Sequence, residues 1–481
     1  MPLSDDDLSD DDLCDDDLSD RDPSDRDSHD LTQGSVLQHL IKLSIPAAMG
    51  MIFNTLYNLT DFWFAGMLSD QALAGVSIAG SVFFIIIAIG AGMQTGTTAI
   101  IANEVGSGRH DGVRNWLNQA LGLAILVAGI CLLVGFWIAA DLIRFLGAET
   151  DVEPAAQQYT NVVLLGNITF VITAVATGAL MALGDTKSTR NALAIGFFAN
   201  FALNPLLTFG LGLGVTGLAL STVLIKAVGG IYLLAVLRRR LNYVPIPAFR
   251  FAYWKDLLRQ VLPASFNMMT IILGGFISVS FIGRFGSDHV AGYAVGLRLE
   301  QVLLLPALGL NSAVMAIVGQ NHGAGLPARV LETYKQAIKA GIAISVICIP
   351  IMVFFSPHML SLFSDNADVI NTGSTYLRID AIAFFAYVVL FISVASLQAI
   401  KQPLFPMVLG ISRQLIVPAS INYFLIVVYG LPMISLFITI VSVVLLSSVI
   451  SHWYTLKQLN ATLQLHSNRS SHEPVIGKPP S

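Results

Sequence analysis

Residues 43–77 read LSIPAAMGMIFNTLYNLTDFWFAGMLSDQALAGVS. The run is apolar for long enough to cross a bilayer core of about 30 Å as a helix. It carries a proline near its start, Pro46, one carboxylate near its end, Asp61, and then a short polar turn. A charged side chain at the centre of a membrane helix costs on the order of 3 kcal/mol on insertion scales, so it is retained where it has a partner, water or a task. Asp61 is therefore the first functional candidate. The plainer alternative is that it sits at the wet interface, a little over one turn from the helix end.

Composition points the same way. Of 481 residues, 54% are apolar and 12% charged, about half the charged share of a soluble domain. The chain reads as an all-α polytopic membrane protein. Cys14, Cys131 and Cys348 are too few and too scattered for a disulfide framework or a metal site. No metal and no cofactor are expected, and nothing points to nucleic acid.

The first 34 residues obey different rules. They repeat LSDDD from Leu3 and Leu8, LCDDD from Leu13 and LSDRD from Leu18, with fourteen aspartates against two arginines. A net charge of −12 over this stretch prevents a buried core, so 1–34 reads as a disordered acidic tail. The remaining chain carries +7. The tail lacks the basic and apolar parts of a signal peptide.

Twelve apolar segments follow between residues 38 and 454, each long enough to span. They divide into an N-lobe at 35–237, a basic connector at 238–260, a C-lobe at 261–455 and a C-terminal tail at 456–481. An even number of spans puts both ends on one side. Arg109, Arg114, Lys187, Arg190, Arg238, Arg239, Arg240, Arg250, Lys255, Arg259, Arg329, Lys335, Lys401 and Arg413 are assigned to that side, and the opposite loops hold only Arg144 and Arg284. The positive-inside rule then makes both termini cytoplasmic, in an inner (plasma) membrane.

The two lobes repeat one plan. A shift of 217 residues without a gap pairs Gly66 with Gly283, Gly106 and Gly108 with Gly323 and Gly325, Cys131 with Cys348, and Tyr159 with Tyr376. Each half has six spans, so both enter the membrane in the same direction and should be related by a pseudo-two-fold axis along its normal. Such halves, rocking about a central site, are the plan of an alternating-access transporter.

Several stretches together resemble the MATE (multidrug and toxic compound extrusion) family, in its DinF-like branch: NLTDFWFAGMLSDQALAGVS, IIANEVGSGRHDGVRN with its partner IVGQNHGAGLPARV, and ALMALGDTKSTR followed by NFALNPLLTFGLGLGVTGLALST. The resemblance covers residues 36 to about 455. It implies two six-helix bundles facing a cleft, and export of organic cations or other amphipathic compounds in exchange for protons, or for sodium. It assigns proton coupling to Asp61, a helix bend to Pro46, and an N-lobe cavity set to Asn54, Tyr159, Thr177, Asn200, Asn204 and Thr222. In several DinF-like members the position of Asn204 is a second aspartate, so this chain has one titratable acid where they have two.

The residues themselves add to this. Asn200 and Asn204 are one helical turn apart and share a face, where their amides can hold Asp61; bonding between helices is the bland role for such a pair. Lys226, four residues after Thr222, lies too deep to snorkel easily, so pairing with Asp61 and a part in coupling or substrate choice are both open. In the C-lobe, Arg298 with Glu300 and Arg378 with Asp380 stand two apart and so point away from each other, which leaves pairing between helices, such as Arg298 with Asp380. The stretch Asn267 to Leu273 lacks the seventh-span acid of NorM-like sodium sites. The glycine-rich turns lack the Lys-Ser/Thr of a phosphate loop, and no nucleophile, base and orienting group converge, so an enzyme is not expected. A lipid-linked saccharide flippase of the same superfamily is the alternative, though it would want several cavity cations. The expected partners are a small amphipathic molecule and the bilayer, with the protein acting as a monomer.

Overall fold

The computed structural model of the chain describes residues 30–470, so the acidic repeat lies outside the described residues. Among these there are helices and turns and no strand. The N-lobe comprises α1 (Val36–Leu68), α2 (Asp70–Gly106), α3 (His110–Phe145), α4 (Glu153–Leu165), α5 (Asn167–Ala182), α6 (Thr186–Pro205) and α7 (Gly214–Leu241). The C-lobe comprises α8 (Phe251–Ile282), α9 (Ser287–Leu303), α10 (Leu305–Gly323), α11 (Pro327–Phe354), the short α12 (Ser356–Ser361), α13 (Ala367–Asp380), α14 (Phe384–Ala399), α15 (Leu404–Ile411), α16 (Val417–Asn422) and α17 (Ile434–Ser470). π-Helical turns prolong α6 over Leu206–Gly210, and α15 and α16 over Ser412–Ile416 and Tyr423–Val428.

Among the described residues nine helices are long and apolar enough to cross a membrane, and three bent pairs bring the number of spans to twelve. The pairs are α4–α5, bent by 52°, α9–α10 by 44°, and α13–α14 by 58°. The first and third breaks correspond under the 217-residue repeat. So do the turns at Gly108 and Gly325, with φ of +70° and +69°, a left-handed conformation that glycine adopts without a Cβ penalty. Symmetry fails at α9–α10, because Pro306 there lacks the N–H to continue a helix, whereas its counterpart Ile89 lies inside an unbroken α2.

The lobes close on each other at the face that carries the basic loops. Asn103 Nδ2 on α2 donates to the Ala399 carbonyl at 2.9 Å, Gln320 Nε2 on α10 donates to the Ala182 carbonyl at 2.7 Å, and His322 Nδ1 lies 2.7 Å from Asn103 Oδ1. The repeat-related glycines make this contact possible. A Cβ on Gly106 would strike the Gln320 carbonyl, and one on Gly323 the Asn103 carbonyl. Deeper in, Gly309 lets α10 approach α1, where its Cβ would lie 2.6 Å from the Ser44 carbonyl oxygen. The start of α1 and the turn before it belong to the C-lobe core: Leu31, Val36, Leu40 and Leu43 are buried there, so the last residues of the expected disordered tail 1–34 are instead packed, with Leu31 N donating to Gln320 Oε1 at 3.2 Å. Burying each such leucine is worth roughly 2 kcal/mol.

Several boundaries differ from the sequence reading. Helix α7 runs to Leu241 and α8 starts at Phe251, so most of the expected connector is helical and only 242–250 is not. That piece leaves α7 through a left-handed Asn242 and is tied to α3, with Ala248 N donating to the Asn118 carbonyl at 2.9 Å and Arg250 N to Gln119 Oε1 at 2.9 Å. Helix α17 continues through Ser470, past the expected end of the C-lobe. Arg413, counted with the loops of the basic side, instead lies within the span Leu404–Val428, in the π-helical turn Ser412–Ile416.

Candidate functional site

The N-lobe gathers its polar residues around Asp61, which is 6% exposed. Asn200 and Asn204, one turn apart on α6, each donate a side-chain amide to Asp61 Oδ1 at 2.8 Å. Thr222 Oγ1 on α7 donates to Oδ2 at 3.1 Å. Asn204 also donates to Asn200 Oδ1 at 3.1 Å and accepts from Ser221. Pro205 and the π-helical turn after it end regular hydrogen bonding one residue beyond Asn204, which sets the close of the amide-bearing face. Ser221 escaped the sequence reading, although its position next to Thr222 was the available signal. Asp61 thus sits in a buried knot of neutral donors.

Neutral donors hold this carboxylate, and among the described residues no cation lies within ion-pair distance of it. A neutral Asp61 would present one O–H donor in place of an acceptor. The site can absorb that change: Thr222 Oγ1 has a second acceptor in the Leu218 carbonyl at 3.2 Å, so its own proton can turn there while the hydroxyl oxygen accepts from Asp61.

The expected cavity set divides. Pro46, Asn54, Thr177 and Lys226 line a cavity of ≈ 310 Å³ walled by α1, α2, α5, α6 and α7 of the N-lobe and reaching Ser312 on α10 of the C-lobe. Asn200, Asn204, Thr222 and Tyr159 do not line it. The first three bind Asp61, and Tyr159 is buried in the apolar cluster behind, with Phe64 and Val163. Tyr57, 5% exposed, stands between the cavity and the acid. Helix α1 passes through Pro46 without interruption, so the expected bend is no break in this state. Lys226 makes no ion pair with Asp61; its Nζ lies 5.7 Å from the Tyr57 ring centroid.

The C-lobe charges are arranged against expectation. Arg298 and Arg378 are exposed, and Arg378 Nε donates to the Val353 carbonyl at 3.2 Å. Glu300 and Asp380 are buried, 4% and 0% exposed. Arg298 and Asp380 do not pair. Residues two apart take opposite faces of a helix, and in both helices the acid took the inner one. Tyr376 donates its hydroxyl to Glu300 Oε2, and Tyr387 donates to Asp380 Oδ1 at 3.4 Å. Asp380 Oδ2 has no partner among the described residues. Among the described residues no group of three His, Cys, Asp or Glu could hold a metal ion.

Comparison with known proteins gives the arrangement a family. The MatE family model matches residues 46–206 and again 263–424, once in each lobe. An FAD transporter of Shewanella oneidensis is 28% identical over 394 residues, covering 80% of this chain and 87% of that protein. A probable multidrug resistance protein of Bacillus subtilis, YpnP, is 26% identical over 74% of this chain and 80% of its own length. The outward-facing conformation of a multidrug resistance MATE family transporter of the MOP superfamily, 25% identical, superposes with a TM-score of 0.84 over 90% of this chain and 98% of that one.

Proposed function

The chain belongs to the MatE family of multi-pass membrane transporters, and from that premise we propose that it is a proton-coupled antiporter that exports amphipathic organic compounds by alternating access. Membership makes it a transporter and not an enzyme. The observation that carries the coupling is the Asp61 knot: one buried acid held by three neutral donors, with a hydroxyl able to reorient when the acid is neutralised.

In this reading the basic face is cytoplasmic, in the plasma membrane, and the structure is the state closed on that side. Substrate enters the N-lobe cavity from the cytoplasm while Asp61 is ionised, and the lobes then rock open outward. An external proton neutralises Asp61, the hydrogen bonds to α6 and α7 rearrange, and α1 moves its cavity-lining residues Pro46, Asn54 and Tyr57. The substrate loses its wall and leaves. By linkage, proton and substrate must oppose each other, with a coupling of about 1–3 kcal/mol. A monomer holds every residue this cycle requires.

A second reading is favoured by the C-lobe. The buried pair Glu300 and Asp380, with a free carboxylate oxygen on Asp380, offers oxygen ligands to sodium, which would then be the coupling ion or a second one. Reconstituted protein under separately imposed proton and sodium gradients tests both. Dye efflux that follows the proton gradient and falls to background in Asp61→Asn supports the first reading. Efflux that follows sodium and survives in Asp61→Asn supports the second, and no efflux under either gradient sinks both.

A further inference from the structure

Two cations face the N-lobe cavity, Lys226 from α7 and Arg190 from the first turns of α6, and none of the residues lining it is acidic. Neither cation lies in an ion pair among the described residues. The Arg190 guanidinium is held by a neutral group, donating to Asn191 Oδ1 at 2.8 and 3.1 Å. Lys226 rests beside the Tyr57 ring, and Asp61 acts on it only from a distance, already bonded by three donors. Both side chains are half-buried, and two cations without a counter-ion in one concave site raise the local concentration of anions, so the missing element of the site is negative. Arg190 stands ten residues before Asn200 on α6, about 15 Å below the Asp61 knot at the α-helical rise. Lys226 stands four residues past Thr222 on α7, about 6 Å from the knot at the same rise, so the two cations mark different depths of the same cavity. Its remaining wall is largely apolar, including Ile86, Phe170, Leu193 and Ile225.

We infer that this cavity binds an amphipathic anion, with a carboxylate, sulfonate or phosphate head on Lys226 or Arg190 and an apolar body against the aliphatic and aromatic wall. This rests on the transport reading and names its substrate class, replacing the organic cation that the family resemblance implies. Its volume of ≈ 310 Å³ lies at the lower end for small-molecule sites, which favours a compact aromatic or acyl group. One consequence concerns coupling. Neutralising Asp61 removes a distant negative charge and leaves Lys226 more attractive to an anion. The opposition between proton and substrate must therefore arise from movement of α1, which contributes Pro46, Gly50, Asn54 and Tyr57 to the wall, and not from charge.

The test uses two ligands of one shape and opposite charge, 2-naphthalenesulfonate and 2-naphthyltrimethylammonium, titrated calorimetrically into the full-length protein in neutral detergent. The sulfonate is expected to bind at least 10-fold more tightly than the ammonium. Loss of that preference in Lys226→Gln, with its return in Lys226→Arg, places the head on Lys226, and its loss in Arg190→Gln places the head on Arg190; either supports the inference. Equal or tighter binding of the ammonium, or a preference unchanged in both glutamine variants, overturns the inference. Addition of phosphatidylglycerol separates two sources of such an anion: competition identifies a lipid headgroup as a ligand, and its absence a free amphipath, the anionic class standing in either case. Because binding is read without a gradient, a protein that binds the sulfonate but moves nothing would refute the exporter and leave the site.

Discussion

Asn204 donates its side-chain amide to Asp61 Oδ1 at 2.8 Å, at the position where several DinF-like proteins are expected to carry a second aspartate. The amide is a donor where a carboxylate would be another proton-binding group, so the N-lobe is built around one acid. Asn204→Asp should restore the two-acid form in nearly the same volume. Proton uptake per substrate exported, measured from the gradient that just halts transport, is expected to rise from one to two. An unchanged ratio would mean that a carboxylate at position 204 loads no second proton and that Asp61 alone still sets the stoichiometry.

Thr222 tests the hydroxyl that is proposed to follow the proton. Thr222→Val keeps the shape but leaves Asp61 Oδ2 without its donor, a loss of about 1–3 kcal/mol for a buried acceptor. Thermal unfolding in detergent should shift down accordingly, with Thr222→Ser close to the parent. If valine matches serine in both stability and transport, the hydroxyl has no such role.

The C-lobe pair gives an independent reading. Tyr376→Phe removes the hydrogen bond to Glu300, and Glu300→Gln removes one charge of the buried pair. If sodium binds there, replacing potassium chloride by sodium chloride should raise the unfolding temperature of the parent, and Glu300→Gln should lose that rise. Equal temperatures in the two salts would assign the pair a structural role only.

Closure of the basic face depends on two repeat-related glycines. Gly323→Val would push side-chain atoms onto the Asn103 carbonyl and Gly106→Val onto Gln320. Both should shift the population towards states open on that side, read as longer distances between spin labels at positions 109 and 329. Unaltered distances would show that the lobes do not meet there in the membrane.

Lys401 occupies the repeat position of Gly184 and shares its left-handed backbone, with φ of +62° against +74°. A side chain there costs about 1–2 kcal/mol relative to glycine. Lys401→Gly should therefore stabilise the protein by about 1 kcal/mol, provided its loop does not gain as much freedom when unfolded. Destabilisation would mean that the lysine side chain outweighs the strain.

Much of the architecture was legible in the chain itself. Twelve spans, two lobes and their 217-residue repeat follow from hydropathy and register, because in a bilayer each helix must satisfy its own backbone and bury its own length. Asp61, Asn200 and Asn204 were also within reach, since an acid amid apolar residues and two amides one turn apart are local signals, whereas Thr222 came only from the family resemblance. Ser221 belongs to the same patch, and only its place beside Thr222 marks it in the sequence, because a serine in a membrane helix commonly bonds its own backbone.

What the sequence could not decide was which side of each helix faces inward. Arg298 and Glu300, or Arg378 and Asp380, are equivalent in sequence, and only the packing of α9 against α13 sent the acids inside to Tyr376 and Tyr387 and the arginines out. The same holds for the N-lobe, where the tertiary fold divided one expected set into a sealed knot around Asp61 and a separate cavity with Lys226 and Arg190. Spacing along a chain fixes which residues share a helical face. The element packed against that face, often more than a hundred residues away, determines whether it meets an acid, a cation or a ligand.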